Sequence, residues 1–144
     1  MTDIKVFIGW DSREDIAFQV AKHSIQKHNP EAKVYPLKLP TLQELGIYTR
    51  GVDAKASTEF PLSRFFVPML TGYKGWALFI DCDFLCLTDI GELFKQANDN
   101  YAVMVAKHDY APKNTTKMDG KAQTVYPRKN WSSCMLWNCE HPSN

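Results

Sequence analysis

Residues 76–80 read WALFI, and this run of five apolar residues limits the folds that the chain can adopt. A continuous apolar strand is typical of the middle of a sheet that is covered on both faces, because a half-exposed strand alternates apolar and polar residues. Two aspartates, Asp81 and Asp83, follow this run at once. Since an ionised carboxylate is costly to bury without a partner, we expect both side chains to meet water, a cation or a ligand.

Strand-like and helix-like segments alternate along the chain. Segment 4–10 reads as a strand, and Asp11 and Ser12 are possible caps of the helix that follows, whose apolar positions have helical spacing (Ile16, Ala17, Val20, Ala21, Ser24 and Ile25). Further strands are predicted at 32–39, where Pro36 indicates an edge or a bulge, and at 76–80, 101–107 and 131–139. Further helices are predicted at 41–48, at 90–95, and from Thr58 to about Tyr73, the last with Pro61 in its first turn and a bend at Pro68.

This order of elements predicts an α/β fold with a mostly parallel central sheet. In such folds, ligands usually bind beyond the carboxyl ends of the strands. Asp81 and Asp83 stand at that position on the most apolar strand. We therefore expect a ligand site there.

Composition and charge set the class of protein. The 144 residues suit a single domain, 1–144, and their 44% hydrophobic content is ordinary for a globular chain. The net charge of +1 gives no general attraction to nucleic acid or anionic lipid, so neither is an expected partner. The first residues match neither a secretory signal nor a membrane span, which favours a cytoplasmic protein.

Positive charge is concentrated at 107–130, where six basic residues stand against two acidic ones. A solvated loop is the favoured interpretation. A loop that faces an anion, through Lys113, Lys117 and Lys121, is the alternative.

The four cysteines, Cys82, Cys86, Cys134 and Cys139, are predicted to be reduced structural thiols. Their spacing contains no C-x-x-C pair, so neither a zinc site nor a disulfide framework is indicated. This interpretation agrees with a cytoplasmic protein.

The two aspartates also indicate a metal site. In an extended chain, residues two apart point the same way, so Asp81 and Asp83 are expected to present their carboxylates together. Carboxylate oxygens are the ligands of hard divalent ions, which often keep open positions for substrate phosphates. A D-x-D triplet by itself is common in surface turns, and it is the preceding apolar strand that gives this one weight.

The block from Ser57 to Phe94 resembles the central segment of the GT-A fold glycosyltransferases, and most closely glycosyltransferase family 8 and its bacterial relatives. It contains, in the family's order, Arg64 and Pro68, then a strand that ends in D-C-D at 81–83, and then D-I-G-E-L-F at 89–94. The opening VFIGWDSRED is similar to the family's first strand and nucleotide-binding turn. The run NWSSCMLWN resembles the later strand that closes over the donor sugar.

The resemblance implies a three-layer GT-A-like sandwich and an enzyme. The enzyme would move a sugar from a nucleotide-diphosphate sugar, with a UDP-sugar favoured, to an unknown sugar, glycan or protein acceptor. Asp81 and Asp83 would hold Mn²⁺ or Mg²⁺, and Arg64 would either pair with one of them or reach the nucleotide. Donor contacts are implied for Gly9, Trp10, Asp11, Arg13, Arg64, Asp81, Cys82, Ser132 and Ser133.

The chain departs from the family near its end. Ser132, Ser133 and Cys134 align with a triplet that normally has Asn first and Gly last. The family also takes a histidine metal ligand from a further C-terminal segment, whose position His141 does not match. The chain is therefore expected to be a fragment that lacks this segment.

Two other functions remain open. Phosphatases of the haloacid dehalogenase type also place D-x-D after an apolar strand, with the first Asp as nucleophile and the second as acid and base. Their pattern has Thr or Val at the position of Leu85, and it lies near the N-terminus. The other alternative is a truncated nucleotide-binding domain without catalytic activity.

Overall fold

A computed structural model describes residues 3–107 and 131–144. These residues form five strands: β1 (Lys5–Gly9), β2 (Lys33–Leu37), β3 (Trp76–Ile80), β4 (Val103–Val105) and β5 (Cys134–Asn138). They also form four α-helices: α1 (Asp15–His28), α2 (Leu39–Glu44), α3 (Val67–Leu70) and α4 (Gly91–Phe94). Short 3₁₀ helices cover Ser63–Phe66 and Trp131–Ser133.

The five strands form one sheet in the order β2-β1-β3-β5-β4. Strand β1 pairs in parallel with β2 and β3, whereas β5 is antiparallel to both β3 and β4. Four strands therefore run in one direction, and the predicted mostly parallel sheet is confirmed. The central place of WALFI and the edge position of the strand that contains Pro36 are confirmed as well.

Helices cover both faces of this sheet. One face, called the α1 face because α1 packs on it, carries the buried residues Val6, Ile8, Leu78 and Ile80. Leu78 and Ile80 line a cavity together with Ile25 of α1. The aromatic face carries Phe7, Phe79 and Trp137, with Phe60 packed 6.2 Å from Phe79 and Phe65 packed 6.2 Å from Trp137, between ring centroids. Because β3 is buried on both sides, every position of WALFI after the first is apolar and enclosed.

The single helix predicted from Thr58 is wrong. The segment instead forms the 3₁₀ helix Ser63–Phe66 and then α3, and Pro68 lies in the first turn of α3 rather than at a bend near the end of a long helix. Proline has no N–H to donate and restricts the residue before it, so a helix cannot run through Pro61 and Pro68 without breaking.

The predicted start of the first helix is also corrected. Helix α1 begins at Asp15 with Glu14 as its N-cap, and neither Asp11 nor Ser12 caps it. Its buried face consists of Phe18, Ala21, Ser24 and Ile25, whereas Ile16 and Val20 are 80% and 52% exposed. The helical spacing of apolar residues was therefore read correctly as a helix, but part of the expected core face is on the surface.

Gly9, at the end of β1, leaves room for the Phe60 ring. A Cβ atom added at Gly9 would lie 2.4 Å from Phe60 Cδ2, far inside contact distance. Gly9→Ala is therefore expected to lower the free energy of unfolding by about 1–3 kcal/mol, as overpacking of a core does. The comparison is urea denaturation beside Gly51→Ala, because no atom lies within 4 Å of the Cβ that this change adds. Equal midpoints for the two variants would contradict the role of Gly9.

Across residues 3–107 and 131–144, none of the helices combines the length and the apolar composition that a bilayer span requires.

Candidate functional site

The residues singled out in the sequence meet at one edge of the sheet. This edge, called the carboxyl edge, is where β1, β2 and β3 end and where antiparallel β5 begins. Trp10 to Glu14 follow β1, Asp81 to Asp83 follow β3, and Ser132 and Ser133 precede β5. The parallel topology therefore brings together segments that are far apart in sequence.

Arg64 joins three of these segments. Its side chain is 7% exposed and lies over Phe79, with the guanidinium carbon 4.9 Å from the ring centroid. It donates hydrogen bonds to the carbonyl oxygens of Phe60 and Ser132, and its Nη1 lies 3.3 Å from Asp81 Oδ1. Of the two predicted roles, pairing with an aspartate of the triplet is the one that the geometry shows.

Asp81 is a partly buried carboxyl with one cationic neighbour, Arg64, and two acidic neighbours, Asp83 and Glu14. The pKa of its carboxyl is raised to about 6: burial is the largest cause, the attraction of Arg64 acts in the opposite direction, and the charges of Asp83 and Glu14 add to the rise. The Oδ1 atom is buried and accepts no well-formed hydrogen bond from the described residues. The carboxyl edge thus has a surplus of negative charge that a cation would relieve.

The chain turns directly after β3. Cys82 and Asp83 lie in a turn, so the expectation that Asp81 and Asp83 point the same way because the chain is extended does not hold. Asp81 is half-buried and Asp83 is exposed, and the charge of Asp83 contributes to the raised pKa of Asp81. A common orientation of the two carboxylates therefore stays a prediction.

Glu14 belongs to the same cluster and was missed in the sequence. Its Oε2 atom accepts a hydrogen bond from Cys82 Sγ at 3.4 Å, and its charge contributes to the raised pKa of Asp81. The run D-S-R-E-D after the first strand contains three acidic residues, and spacing alone does not separate the one that faces β3 from its neighbours. Only the folded chain, in which the N-cap of α1 lies beside the end of β3, identifies it.

Asp11 is held entirely by protein atoms. Its carboxylate is 0% exposed and accepts hydrogen bonds from Arg13 Nε at 2.9 Å, Arg13 Nη2 at 3.0 Å, and the backbone N–H groups of Arg13 and Glu59. Hydrogen bonding to Arg13 lowers the pKa of this carboxyl below its usual value. Through these bonds Asp11 attaches Arg13, and the backbone of Glu59 just before Phe60, to the end of β1.

A cavity of about 420 Å³ opens beside this pair. Arg13 lines it from the segment between β1 and α1, and the rest of the lining comes from the region after β2: Leu39, Pro40, Gln43, Tyr48, Val52, Asp53, Ala54, Ala56, Thr58, Glu59, Pro61 and Leu62. The Glu59 Oε1 atom accepts a hydrogen bond from Ser12, whereas Glu59 Oε2 is buried and accepts none from the described residues. The cavity thus mixes apolar walls with charged groups, as ligand pockets do.

Trp10 faces a different set of neighbours. Its Nε1 donates to Asp15 Oδ1 at 2.8 Å, and Lys38 Nζ lies 4.5 Å from its ring centroid. These contacts tie the end of β1 to the start of α1 and to the chain after β2. A role for Trp10 in ligand binding stays a prediction.

Ser132 and Ser133 act in the structure through their backbones. The Ser132 carbonyl accepts from Arg64, and the Ser133 carbonyl accepts from the Asp81 N–H at 3.0 Å. The segment before β5 is in this way attached to the end of β3. Donor contacts by the two serines remain predictions.

Few side chains in the described residues are placed to bind a metal ion together. Within the part of the chain that the structure describes, no three His, Cys, Asp or Glu side chains are arranged so that they would hold a metal ion. His141 follows β5 and so lies at the opposite end of the sheet from Asp81, in agreement with the expectation that it is not the family's histidine. Lys113, Lys117 and Lys121 lie outside the described residues.

All four cysteines are free, as predicted, but only Cys82 and Cys139 are fully buried. Burial, and then the hydrogen bond to Glu14, raise the pKa of the Cys82 thiol to about 12. Because the thiolate is the reactive form, we expect Cys82 to react with iodoacetamide at pH 8 far more slowly than half-buried Cys86. Peptide mapping by mass spectrometry after short exposure measures both rates in one sample. Faster labelling at Cys82 would contradict the buried contact with Glu14.

Comparisons with known proteins describe the fold and leave the function open. Profiles of known protein families give no match. Protein CDI of Arabidopsis thaliana is 52% identical over 141 residues, which are 97% of this chain and 54% of that protein. The chain thus spans about half the length of this curated relative, whose name carries no activity.

Two solved glycosyltransferases share the fold. The bifunctional enzyme WbbM, in its apo form, superposes with a TM-score of 0.62 at 15% identity, over 97% of this chain and 32% of WbbM. GlyE of Streptococcus pneumoniae TIGR4, also in its apo form, gives 0.55 at 16% identity, over 97% of this chain and 35% of GlyE. At such low identity the likeness establishes the fold alone.

Proposed function

We propose that this chain is the nucleotide-sugar-binding part of a glycosyltransferase with a GT-A-like three-layer fold. The observation that carries the proposal is the cluster of three acidic side chains, Asp81, Asp83 and Glu14, at the end of β3, where the charges of Asp83 and Glu14 act on the half-buried carboxyl of Asp81. This cluster stands at the carboxyl edge of the central strand, where ligands bind in α/β folds. The shared fold with WbbM and GlyE supports the same assignment.

The donor set at the carboxyl edge fits a hard divalent ion such as Mn²⁺ or Mg²⁺. Asp81 and Asp83 offer carboxylate oxygens, the ligands that such ions prefer, although Asp81 Oδ1 is also paired with Arg64 Nη1 at 3.3 Å. A bound ion of this kind supplies positive charge for the diphosphate leaving group of a nucleotide sugar. The remaining ligands would come from the diphosphate, from water, or from residues that the structure does not describe.

Arg64 is a positioning residue in this proposal. It is too deeply buried to reach a nucleotide, and its ion pair with Asp81 fixes one carboxylate at the end of β3. By also binding the Ser132 carbonyl, it fixes the segment before β5 beside the same carboxylate. The side chain thereby orders the carboxyl edge before any ligand binds.

The cavity beside Arg13 is the proposed nucleoside pocket. It lies at the ends of β1 and β2, next to the strand that carries Asp81. Arg13, whose guanidinium is held by Asp11 and the Ser57 carbonyl, and Glu59 give this cavity one positive and one negative side chain in its lining, which suits the polar groups of a nucleoside. UDP is the favoured nucleotide, and the sugar that it carries is left open.

We also propose that this chain is part of a longer enzyme. Because the matched region is only 54% of Protein CDI, we infer that the acceptor site and any further metal ligand lie in polypeptide without a counterpart here. The acceptor is a sugar, a glycan or a protein. A cytoplasmic location belongs to the same proposal.

A thermal-shift panel tests nucleotide binding. UDP, GDP, ADP and UDP-glucose are each added to the 144-residue chain with and without Mn²⁺. At 100 times its dissociation constant, a ligand stabilises the folded state by roughly 2.7 kcal/mol, which gives a clear rise in melting temperature. We expect the largest rise with UDP or UDP-glucose in the presence of Mn²⁺. No rise with any nucleotide would end the proposal.

Product release separates the remaining functions. Release of UDP from a UDP-sugar supports a transferase, and release of phosphate from p-nitrophenyl phosphate supports the phosphatase alternative. Binding of UDP without turnover supports a nucleotide-binding domain that needs the rest of the protein for catalysis.

A further inference from the structure

The segment that follows β3 is attached to α1 at two points. At one end, Cys82 Sγ donates a hydrogen bond at 3.4 Å to Glu14 Oε2, at the N-cap of α1. At the other end, the backbone N–H of Cys86 donates at 2.9 Å to Ser24 Oγ, in the third turn of the helix. Asp83, the second aspartate of the D-x-D triplet, lies in sequence between these two attachments.

Ser24 is a polar residue on the apolar face of α1. The other buried residues of that helix are Phe18, Ala21 and Ile25, and Ser24 itself is 6% exposed. A hydroxyl group is costly to bury without hydrogen bonds. The Ser24 hydroxyl forms two, because it donates to the Ala21 carbonyl at 2.8 Å and accepts from the Cys86 N–H. Its hydrogen is used within the helix, and its oxygen holds the segment after β3.

Glu14 directs its side chain to the same segment and not to its own helix. It occupies the N-cap of α1 but forms no side-chain capping bond. Burial is the largest cause of the raised pKa of Asp81 and of Cys82, and the nearby Glu14 adds to both shifts. Because like charges repel, its place beside Asp81 needs a favourable contact elsewhere. The hydrogen bond from Cys82 is such a contact.

The segment runs along α1 between its two attachments. Positions 14 and 24 are separated by about 15 Å along a helix axis, and positions 82 and 86 by at most about 14 Å of chain. These lengths are comparable, so the segment follows the helix and does not cross it. Phe84, between the attachments, packs against the core and lines a cavity of about 340 Å³ together with Ser24 and Ile25.

Asp81 is anchored by other elements. Its backbone N–H donates to the Ser133 carbonyl at 3.0 Å, just before β5, and its carboxylate pairs with Arg64 of the 3₁₀ helix. Asp83 is exposed, and its attachment comes through the neighbouring residues that α1 holds. The placement of one carboxylate relative to the other therefore depends on two separate supports.

We propose that Glu14 and Ser24 are positioning residues, which hold the Asp83 end of the D-x-D triplet against α1 so that Asp83 and Asp81 bind one metal–diphosphate group together. Glu14 acts through the Cys82 thiol, and Ser24 acts through the backbone N–H that follows Leu85. Neither residue touches the ligand. This role rests on the proposed function, because it concerns the same site.

The reactivity of Cys82 tests the attachments without any ligand. Ser24→Ala removes one acceptor, and it should speed the reaction of Cys82 with iodoacetamide at pH 8 by about threefold to tenfold, the effect of one hydrogen bond. Gln19→Gly is the matched control, because it weakens the same helix at an exposed position and removes neither acceptor. Labelling of Cys82 that is no faster in Ser24→Ala than in Gln19→Gly would overturn the proposal.

Binding of UDP with Mn²⁺ tests what the attachments do. By isothermal titration, Ser24→Ala should raise the dissociation constant about threefold to tenfold over the parent. Ser24→Thr keeps a hydroxyl and should bind more tightly than Ser24→Ala, and Gln19→Gly should match the parent. A lower melting temperature with unchanged affinity in Ser24→Ala would show a structural role only, and equal losses in Ser24→Ala and Ser24→Thr would show that the hydroxyl is not responsible. Either result would overturn the proposal.

Three variants separate a positioning role of Glu14 from direct contact with the ion: Glu14→Ala, Cys82→Ala and the double variant. If Glu14 acts through Cys82, each single change weakens binding of UDP with Mn²⁺, and the double variant binds no more weakly than Glu14→Ala. Additive losses would mean that Glu14 meets the ion itself, and unchanged affinity in Cys82→Ala would mean that the thiol transmits nothing. Both outcomes contradict the assigned role.

Two failures can be told apart. If the parent binds UDP with Mn²⁺ and Asp83→Asn weakens that binding, but Ser24→Ala and Cys82→Ala bind as the parent does, only the positioning role is overturned. If the parent binds no nucleotide, the proposed function fails and the positioning role fails with it. Should Ser24→Ala not fold, the comparison of Cys82→Ala with Glu14→Ala and their double variant decides.

Discussion

Replacing Arg64 with alanine is expected to lower the free energy of unfolding by about 3–5 kcal/mol, the usual cost of removing one partner of a buried ion pair. The guanidinium is 7% exposed and binds the Phe60 and Ser132 carbonyls as well as Asp81. Its loss leaves Asp81 without a cationic partner. It also removes the hydrogen bonds that attach the Phe60 and Ser132 carbonyls to the Arg64 side chain at the end of β3. Urea denaturation followed by circular dichroism measures the change.

Two companion variants separate charge from shape. Arg50→Ala removes an exposed arginine and should shift the urea midpoint little, because surface substitutions are usually within about 0.5 kcal/mol. Arg64→Lys keeps the charge but loses the planar fork that reaches two carbonyls and a carboxylate, so it should fall between the parent and Arg64→Ala. If Arg64→Ala and Arg50→Ala unfolded at the same urea concentration, the buried ion pair would not be a main support of the carboxyl edge.

Asp81→Asn and Asp83→Asn are each expected to weaken Mn²⁺-dependent binding of UDP at least tenfold, or about 1.4 kcal/mol. Each change removes a negative charge and almost no volume, so the fold should be kept. Isothermal titration with Mn²⁺ and UDP measures the affinity, and Glu44→Gln, which removes an exposed charge from α2, is the control. Unchanged affinity in both aspartate variants would reduce the D-x-D triplet to a surface turn and remove the main support of the proposed function.

The same Asp81→Asn variant should be more stable than the parent without metal. The pKa of Asp81 is raised from 3.8 to about 6 in the folded state, so folding favours the protonated form. The stability that this gives is fully present below about pH 4 and is lost as the pH rises through 6. At pH 8 Asp81→Asn should therefore gain up to about 3 kcal/mol over the parent, and the difference should vanish below pH 4. Thermal unfolding in EDTA from pH 4 to 8 measures it, and a constant difference across that range would contradict the raised pKa.

Much of the architecture was predictable because it depends on local patterns. WALFI is apolar at every position, and a strand of that kind belongs in the centre of a covered sheet. Pro36 has no N–H to give to a neighbour, and its strand is indeed at the edge. The position of Asp81 at the end of β3 then follows from topology, since parallel strands end at a common edge. These inferences need only residues that are close together in sequence.

Other predictions failed where a local pattern competed with long-range packing. The spacing of Ile16 and Val20 fits a helix face, but α1 turns Phe18, Ala21 and Ile25 toward the sheet instead. The run from Thr58 has helical composition, yet Pro61 and Pro68 break it into shorter pieces. In both cases the pattern gave the type of structure, and tertiary contacts set its orientation or its ends.

By itself, the sequence determined the strands, their alternation with helices, and two carboxylates at the end of the most buried strand. Tertiary structure decided which charges meet there. Glu14 accepts a hydrogen bond from Cys82 because the N-cap of α1 lies beside the end of β3, and Arg64 pairs with Asp81 because its 3₁₀ helix covers the aromatic face. Electrostatic interaction depends on distance and burial, and a sequence that separates Glu14 from Asp81 by 67 positions specifies neither until the chain is folded.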